Sequence, residues 1–136
     1  MKFLRAKLTR LLVGTFANDD RRIEHALSVL RTAESMIESY PGCDPEIVMA
    51  SALLHDIGIK VSEEKHGYNN GMTQEQYGPP VARELLVSIG FPPEKIEIVK
   101  NIIGNHHSPS RYDYPELALL KKADQIVNRA EENHHD

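Results

Sequence analysis

The segment Ile47-Val48-Met49-Ala50-Ser51-Ala52-Leu53-Leu54 carries no charge on any face and runs directly into His55-Asp56. It is far too short to span a bilayer, which takes about 20 residues, and it lacks the apolar–polar alternation of a half-buried strand. Asp44 stands ahead of it as an N-cap, with Pro45 at the first helical position and Glu46 in the first turn; Gly58 follows as a stop signal. The pattern predicts a helix that is apolar all round. Such a helix belongs in the middle of a fold, with other helices laid around it.

The flanking sequence supplies those neighbours. Leu4, Leu8, Leu11 and Leu12 form one stripe of a helix from about Lys2 to Phe16, and Ile23, Leu27, Leu30 and Ile37 one stripe of a second, running to Tyr40. Asn18, Asp19 and Asp20 offer N-cap chemistry for the second, and Pro41-Gly42 ends it. Gly78-Pro79-Pro80 is expected to open a helix through Leu85, Leu86 and Ile89, Pro92-Pro93 another through Ile96, Val99, Ile102 and Ile103, and Asp113-Tyr114-Pro115 the last, through Leu117, Leu120, Ala123, Ile126 and Val127. Residues 58–73, polar and holding Gly67, Asn69, Asn70 and Gly71, read as a loop. With 136 residues, 40% of them hydrophobic, 6% aromatic and no Trp, the chain suits one all-α domain, a compact bundle of about six helices with an aliphatic core.

Composition excludes several roles. A net charge of -4 leaves no basic footprint for nucleic acid and argues against a membrane surface. The first residues are broken by Arg5, Lys7 and Arg10, unlike a secretory signal, so a cytoplasmic protein is expected. The single cysteine, Cys43, rules out an internal disulfide and reads as an inert turn thiol. Of seven histidines, His134 and His135 fall in a charged tail and read as solvated.

The chemistry concentrates at His55-Asp56. A carboxylate at the C-terminal end of a buried helix meets the negative end of the helix dipole and the cost of burial. Something positive must lie near it: a Lys, an Arg or a metal ion. Imidazole with carboxylate is a good ligand set for a borderline divalent metal. His25, off the main stripe of the second helix, and Asp124, flanked by Ala123 and Val127 on the last, can complete a His-His-Asp-Asp set. Each also has a plain structural reading, as a satisfied core histidine or a surface carboxylate.

The order His25, then Leu54-His55-Asp56-Ile57-Gly58, then Ala123-Asp124, on successive helices, resembles the HD superfamily of metal-dependent phosphohydrolases. The likeness runs from about Arg21 to Asn128. Lys60-Val61-Ser62-Glu63-Glu64-Lys65, Gln74-Glu75 and Gly78-Pro79-Pro80-Val81-Ala82-Arg83 look like small stand-alone bacterial members. The resemblance implies a single HD-type domain over 1–136, with a helical extension at 1–17, a metal-site core at 18–131 and a tail at 132–136. It implies a divalent ion (Mn, Fe, Ni, Co, Zn or Mg) held by His25, His55, Asp56 and Asp124, and hydrolysis of a phosphomonoester, nucleotide or related small phosphorylated substrate by metal-activated water, with Asp56 and Asp124 as the catalytic carboxylates.

Members with two metals carry a further His near the position of Tyr77, which cannot serve as a neutral phenol; Glu75 is the candidate substitute. Another usual ligand falls in a pattern matched by Ile103-Gly104-Asn105-His106-His107, making His106 and His107 candidates for a second metal or for substrate. Their plain reading is a helix C-terminus. Arg21, Arg22, Lys60 and Lys65 are candidates for phosphate contact, His66 reads as a loop surface residue, and Tyr112 and Tyr114 are candidate pocket walls. Ile59 and Lys60 stand where some HD enzymes carry a Glu, so the general acid is unassigned. Two alternatives stay open: a non-catalytic ligand- or metal-binding HD module, and a di-iron HD oxygenase.

Overall fold

The structure is a computed structural model that describes residues 1–133; His134 and His135 lie outside the described residues. Seven α-helices follow one another among them: α1 (Leu4–Phe16), α2 (Asp20–Met36), α3 (Pro45–Leu54), α4 (Ile59–His66), α5 (Gly71–Ser88), α6 (Pro93–Ile103) and α7 (Pro115–Asn133), with a 3-10 turn at Ile37–Ser39. There is no β-strand among the described residues, and no helix there is long and apolar enough to cross a membrane.

The apolar helix α3 is the axis of the fold. Ile47, Val48, Ala50, Ser51, Ala52, Leu53 and Leu54 are all buried, and α1, α2, α6 and α7 pack around it. Asp44 caps it as expected, its Oδ1 accepting the Glu46 N–H at 2.9 Å. The backbone N–H of Asp44 in turn donates to the buried Glu116 Oε2 at 2.7 Å, which ties the start of α3 to α7. Leu8 and Leu12 of α1, Val29 of α2, Ile102 and Ile103 of α6, and Leu117 and Leu119 of α7 fill the space around α3. Truncating a side chain such as Leu53 to Ala would cost about 2–5 kcal/mol. The stripe of α1 is buried in the same core. Cys43 is partly buried beside Glu116; burial and that carboxylate push its thiol upward, away from the reactive range.

Three sequence expectations are corrected. Residues 58–73 are not a loop, because α4 occupies Ile59–His66, burying only Ile59 and Ser62; Gly67, with φ 78°, ends it in the left-handed conformation. Helix α5 begins at Gly71 rather than at Gly78-Pro79-Pro80, because Asn70 and Thr73 form a reciprocal capping box. Pro79 and Pro80 therefore lie inside the helix, where they remove two N–H donors. Asp19 precedes α2 but makes no side-chain cap; its carboxylate instead accepts from Lys60 Nζ at 2.9 Å and Arg22 Nε at 3.1 Å.

The middle of α5 lies close against two neighbours. A Cβ on Gly58 would fall 2.5 Å from the Gly78 nitrogen, and a Cβ on Gly78 would fall 2.6 Å from Ile103 Cγ2. The turn after α3 thus meets the centre of α5 backbone to backbone, and the Ile103 side chain at the end of α6 packs directly on Gly78. That contact fixes the turn carrying His55 and Asp56 relative to the end of α6 carrying His106 and His107.

Candidate metal centre

His55 and Asp56 sit in a tight turn between α3 and α4, held by Ile57 N–H to Leu54 O (3.1 Å) and Ile59 N–H to Asp56 O (3.1 Å). His55 is 1% exposed. Its Nδ1 lies 2.8 Å from the Ala52 carbonyl oxygen and, since a carbonyl only accepts, carries the proton. Its Nε2, the nitrogen that offers a lone pair in the neutral ring, is buried and has no hydrogen-bond partner. What it faces are carboxylate oxygens: Asp56 Oδ2 at 3.2 Å and Asp124 Oδ1 at 3.5 Å.

His25 enters from α2 and Asp124 from α7, a helix pair packed side by side. His25 Nε2 is 3.1 Å from Asp124 Oδ1 and 3.6 Å from Asp56 Oδ2. Its Nδ1 donates to the Glu131 carboxylate, 2.9 Å from Oε2 and 3.1 Å from Oε1. Glu131 escaped the sequence reading, although it follows Asp124 by two helical turns on the same helix and so shares its face.

His106 repeats the arrangement of His55 from the end of α6. Its Nδ1 donates to the Ile103 carbonyl oxygen at 2.6 Å, and its Nε2 is buried, without a partner, 3.6 Å from Asp56 Oδ1. His107 uses Nε2 to donate to Gln74 Oε1, which leaves Nδ1 as its free ring atom. Asp56 thus stands between two donor groups, His25 and His55 on one side and His106 and His107 on the other.

The electrostatics follow from burial against charge. Burial alone would lower the His55 imidazole, but the Asp56 and Asp124 carboxylates outweigh it and hold it well above its usual range. His25 is raised in the same way: burial opposes, and Asp124, Glu131 and Asp56 prevail. Burial would raise Asp56 and Asp124; the imidazoles, His55 and His106 for Asp56 and His25 and His55 for Asp124, hold both well below the usual carboxylate range. Among the described residues, no Lys or Arg pairs with Asp56 or Asp124.

These donors fit a divalent ion. Two carboxylates balance two positive charges, and neutral imidazoles add nitrogen donors suited to a borderline metal. Ion-to-donor bonds of roughly 2.0–2.2 Å place neighbouring donors about 2.8–3.1 Å apart in octahedral and about 3.3–3.6 Å apart in tetrahedral geometry. The four contacts among His25, His55, Asp56 and Asp124 span 3.1–3.6 Å. The orphaned Nε2 of His55 is the atom that most requires a cation.

The remaining candidates are placed as follows. Arg21, Arg22, Gln74, His107 and Asn128 line a cavity of about 360 Å³ that opens on His25, Asp56 and Asp124. Glu75 Oε2 accepts the N–H of His107 (2.9 Å) and the N–H and Oγ–H of Ser108 (both 2.8 Å). It therefore clamps the backbone after His106 and joins neither donor group. Burial would raise it, and those hydrogen bonds hold it below its usual value. Lys60 and Lys65 point elsewhere, the first to Asp19 and the second over the Tyr77 ring at 5.6 Å. His66 meets the Tyr77 hydroxyl at 2.8 Å. Tyr112 and Tyr114 stack on each other, centroids 5.2 Å apart, rather than walling this cavity.

An all-helical bundle whose central helix ends in converging imidazoles and carboxylates defines a candidate metal-binding helical domain. The HD domain family matches residues 22–129, and the chain belongs to that family, which places it in a superfamily of metal-dependent phosphohydrolases. It is 30% identical over 105 residues to an uncharacterized protein of Clostridium beijerinckii, covering 76% of this chain and 62% of that one. It is 27% identical over 111 residues to the 3'-5' exoribonuclease YhaM of Shouchella clausii, and 26% identical over 109 residues to that of Bacillus pumilus. Those matches cover 75% and 74% of this chain but 34% of each exoribonuclease. No solved structure matches significantly.

Proposed function

We propose that the protein is a metal-dependent phosphohydrolase that cleaves a small phosphomonoester, with His25, His55, Asp56 and Asp124 holding one divalent ion. The observation that carries this reading is the buried, unpartnered Nε2 of His55 set against the Asp56 and Asp124 oxygens. A divalent ion held there polarises a phosphoryl oxygen and makes water a competent nucleophile at neutral pH.

The chain's own side chains do the rest. Asp56 and Asp124 balance the charge and orient the attacking water. Arg21 and Arg22, at the mouth of the cavity, receive the non-reacting phosphate oxygens. Arg22 is held for this by Asp19 at 3.1 Å and Glu63 at 3.5 Å. Gln74 and Asn128 add polar contacts, while Ile59 is the aliphatic residue in the lining.

A second reading adds a second ion between Asp56 Oδ1, His106 and His107. It is favoured by the other unpartnered nitrogen, His106 Nε2. The exoribonuclease activity named for the YhaM relatives is a further substrate reading. The net charge of -4 favours a small ester over an RNA strand.

The test is phosphate release from a panel of sugar phosphates, mononucleotides and short RNA. Metal-stripped protein is assayed with Mn, Co, Ni, Fe, Zn or Mg restored. Turnover of small esters that needs the metal and vanishes in Asp56→Ala supports the proposal. Tight metal binding without turnover of any substrate would instead indicate a non-catalytic module. Two irons per chain with oxygen consumption would indicate the oxygenase chemistry.

A further inference from the structure

Glu131 lies beyond the stretch that the HD family matches, which ends at residue 129. It is joined to the metal centre through one atom, His25 Nδ1. Both carboxylate oxygens approach that nitrogen, at 2.9 and 3.1 Å. A carboxylate only accepts, so Nδ1 carries a proton; Nε2 is turned toward Asp124 and Asp56, and in the ion-free protein it likewise donates to Asp124 Oδ1 at 3.1 Å, a proton that a cation would displace. The other two inward imidazoles, His55 and His106, are set by backbone carbonyls, Ala52 O and Ile103 O. His25 alone is set by a charged side chain.

We infer that Glu131 is a positioning residue of the metal centre: it locks the His25 ring with Nε2 inward and makes that nitrogen a stronger donor to a divalent cation. The inference rests on the proposed four-residue centre, and its physical basis is general. A ligating imidazole is oriented, and made more basic, by a carboxylate on its far nitrogen, and loss of such a partner typically weakens metal binding about 10- to 100-fold. The placement suits the role. Glu131 follows Asp124 by two turns of α7, so one helix face supplies both a ligand and the group that sets the ligand opposite it. The Glu131 side chain is 40% exposed and the His25 side chain 13%. The pair therefore closes the outer edge of the site.

The experiment is Mn(II) titration by calorimetry of the metal-stripped full chain, comparing wild type with Glu131→Ala, Glu131→Gln and the exposed neighbour Glu132→Gln. Glu131→Ala is expected to weaken Mn(II) binding about 10- to 100-fold. Glu131→Gln keeps an acceptor but loses the charge, so its affinity should fall between Glu131→Ala and wild type. Glu132→Gln should bind like wild type. In the Zn-loaded protein, the proton on His25 Nδ1 should give a downfield, hydrogen-bonded NMR signal in wild type that is lost in Glu131→Ala. Affinities of both Glu131 variants within twofold of wild type would overturn the inference, as would an equal loss in Glu132→Gln. Should Glu131→Ala fail to fold, Glu131→Gln decides. A wild-type chain that binds no Mn(II) is a separate result, and it contradicts the metal centre itself.

Discussion

Gly58 and Gly78 touch backbone to backbone, close enough that a Cβ on Gly58 would lie 2.5 Å from the Gly78 nitrogen and 2.9 Å from its Cα. The φ of Gly58 is -80°, which any residue adopts, so proximity rather than conformation requires glycine here. Gly58→Ala must push the His55-Asp56 turn away from α5. Overpacking of this kind costs about 1–3 kcal/mol. The expected result is a lowered Tm by calorimetry together with weakened divalent-metal binding. A loss of stability with metal affinity intact would separate this packing from the site.

The proposed metal centre implies a pH dependence with a definite sign. His25 and His55 are raised in the ion-free protein, and Asp56 and Asp124 are lowered. The stabilisation from the histidines is fully present below their unfolded value of about 6.5 and is lost as pH rises through their raised folded values. That from the carboxylates is present above about 3.9 and is lost as pH falls through their depressed ones. An ion that takes the imidazole nitrogens displaces their protons, so its affinity must climb with pH. The rise in Tm caused by saturating Mn(II), measured from pH 5.5 to 8.5, should therefore grow with pH.

At the cavity mouth, Arg21→Ala and Arg22→Ala should raise KM for a phosphomonoester about tenfold each, consistent with loss of a charge-assisted contact. Divalent-metal affinity should change little. Steady-state kinetics paired with metal titration reads both. Weakened metal binding with unchanged KM would move these residues out of substrate contact.

How much of this was legible in the sequence depended on which signals are local. The buried nature of α3 was readable because an all-apolar run with a cap at Asp44 has one physical home. His25 and Asp124 can be singled out from their places on their helices, but only a resemblance joins them to His55-Asp56, since their meeting depends on α2 packing beside α7, which no local pattern encodes. The helix α4 was hidden because it buries only Ile59 and Ser62, too few to print a period. The start of α5 was misplaced because Gly78-Pro79-Pro80 imitates a helix opening, while the Asn70–Thr73 box that sets the start uses Thr where Glu or Gln is the usual signature. Glu75 and Glu131 were opaque as clamps. A carboxylate that accepts from a distant backbone or ring N–H resembles any surface acid until the chain is folded.

Glu75 separates the two donor groups experimentally. Its carboxylate takes three hydrogen bonds from His107 and Ser108. Glu75→Ala strands those donors, and the cost should be about 1–3 kcal/mol. Binding of one ion by His25, His55, Asp56 and Asp124 should survive, because Glu75 bonds to none of the four, although Asp56 is shared by both groups. A second, weaker calorimetric binding event lost in this variant would assign an ion to His106 and His107.

In the proposed centre, side chains from α2, the turn after α3, and α7 grip one cation. A crystal of the protein grown with Mn(II), with anomalous diffraction collected at the Mn edge, tests it most directly. One strong peak is expected within about 2.0–2.4 Å of His25 Nε2, His55 Nε2, an Asp56 oxygen and an Asp124 oxygen. A fully ordered site with no peak there, or a peak bound by other residues while these four pair only with one another, would contradict it.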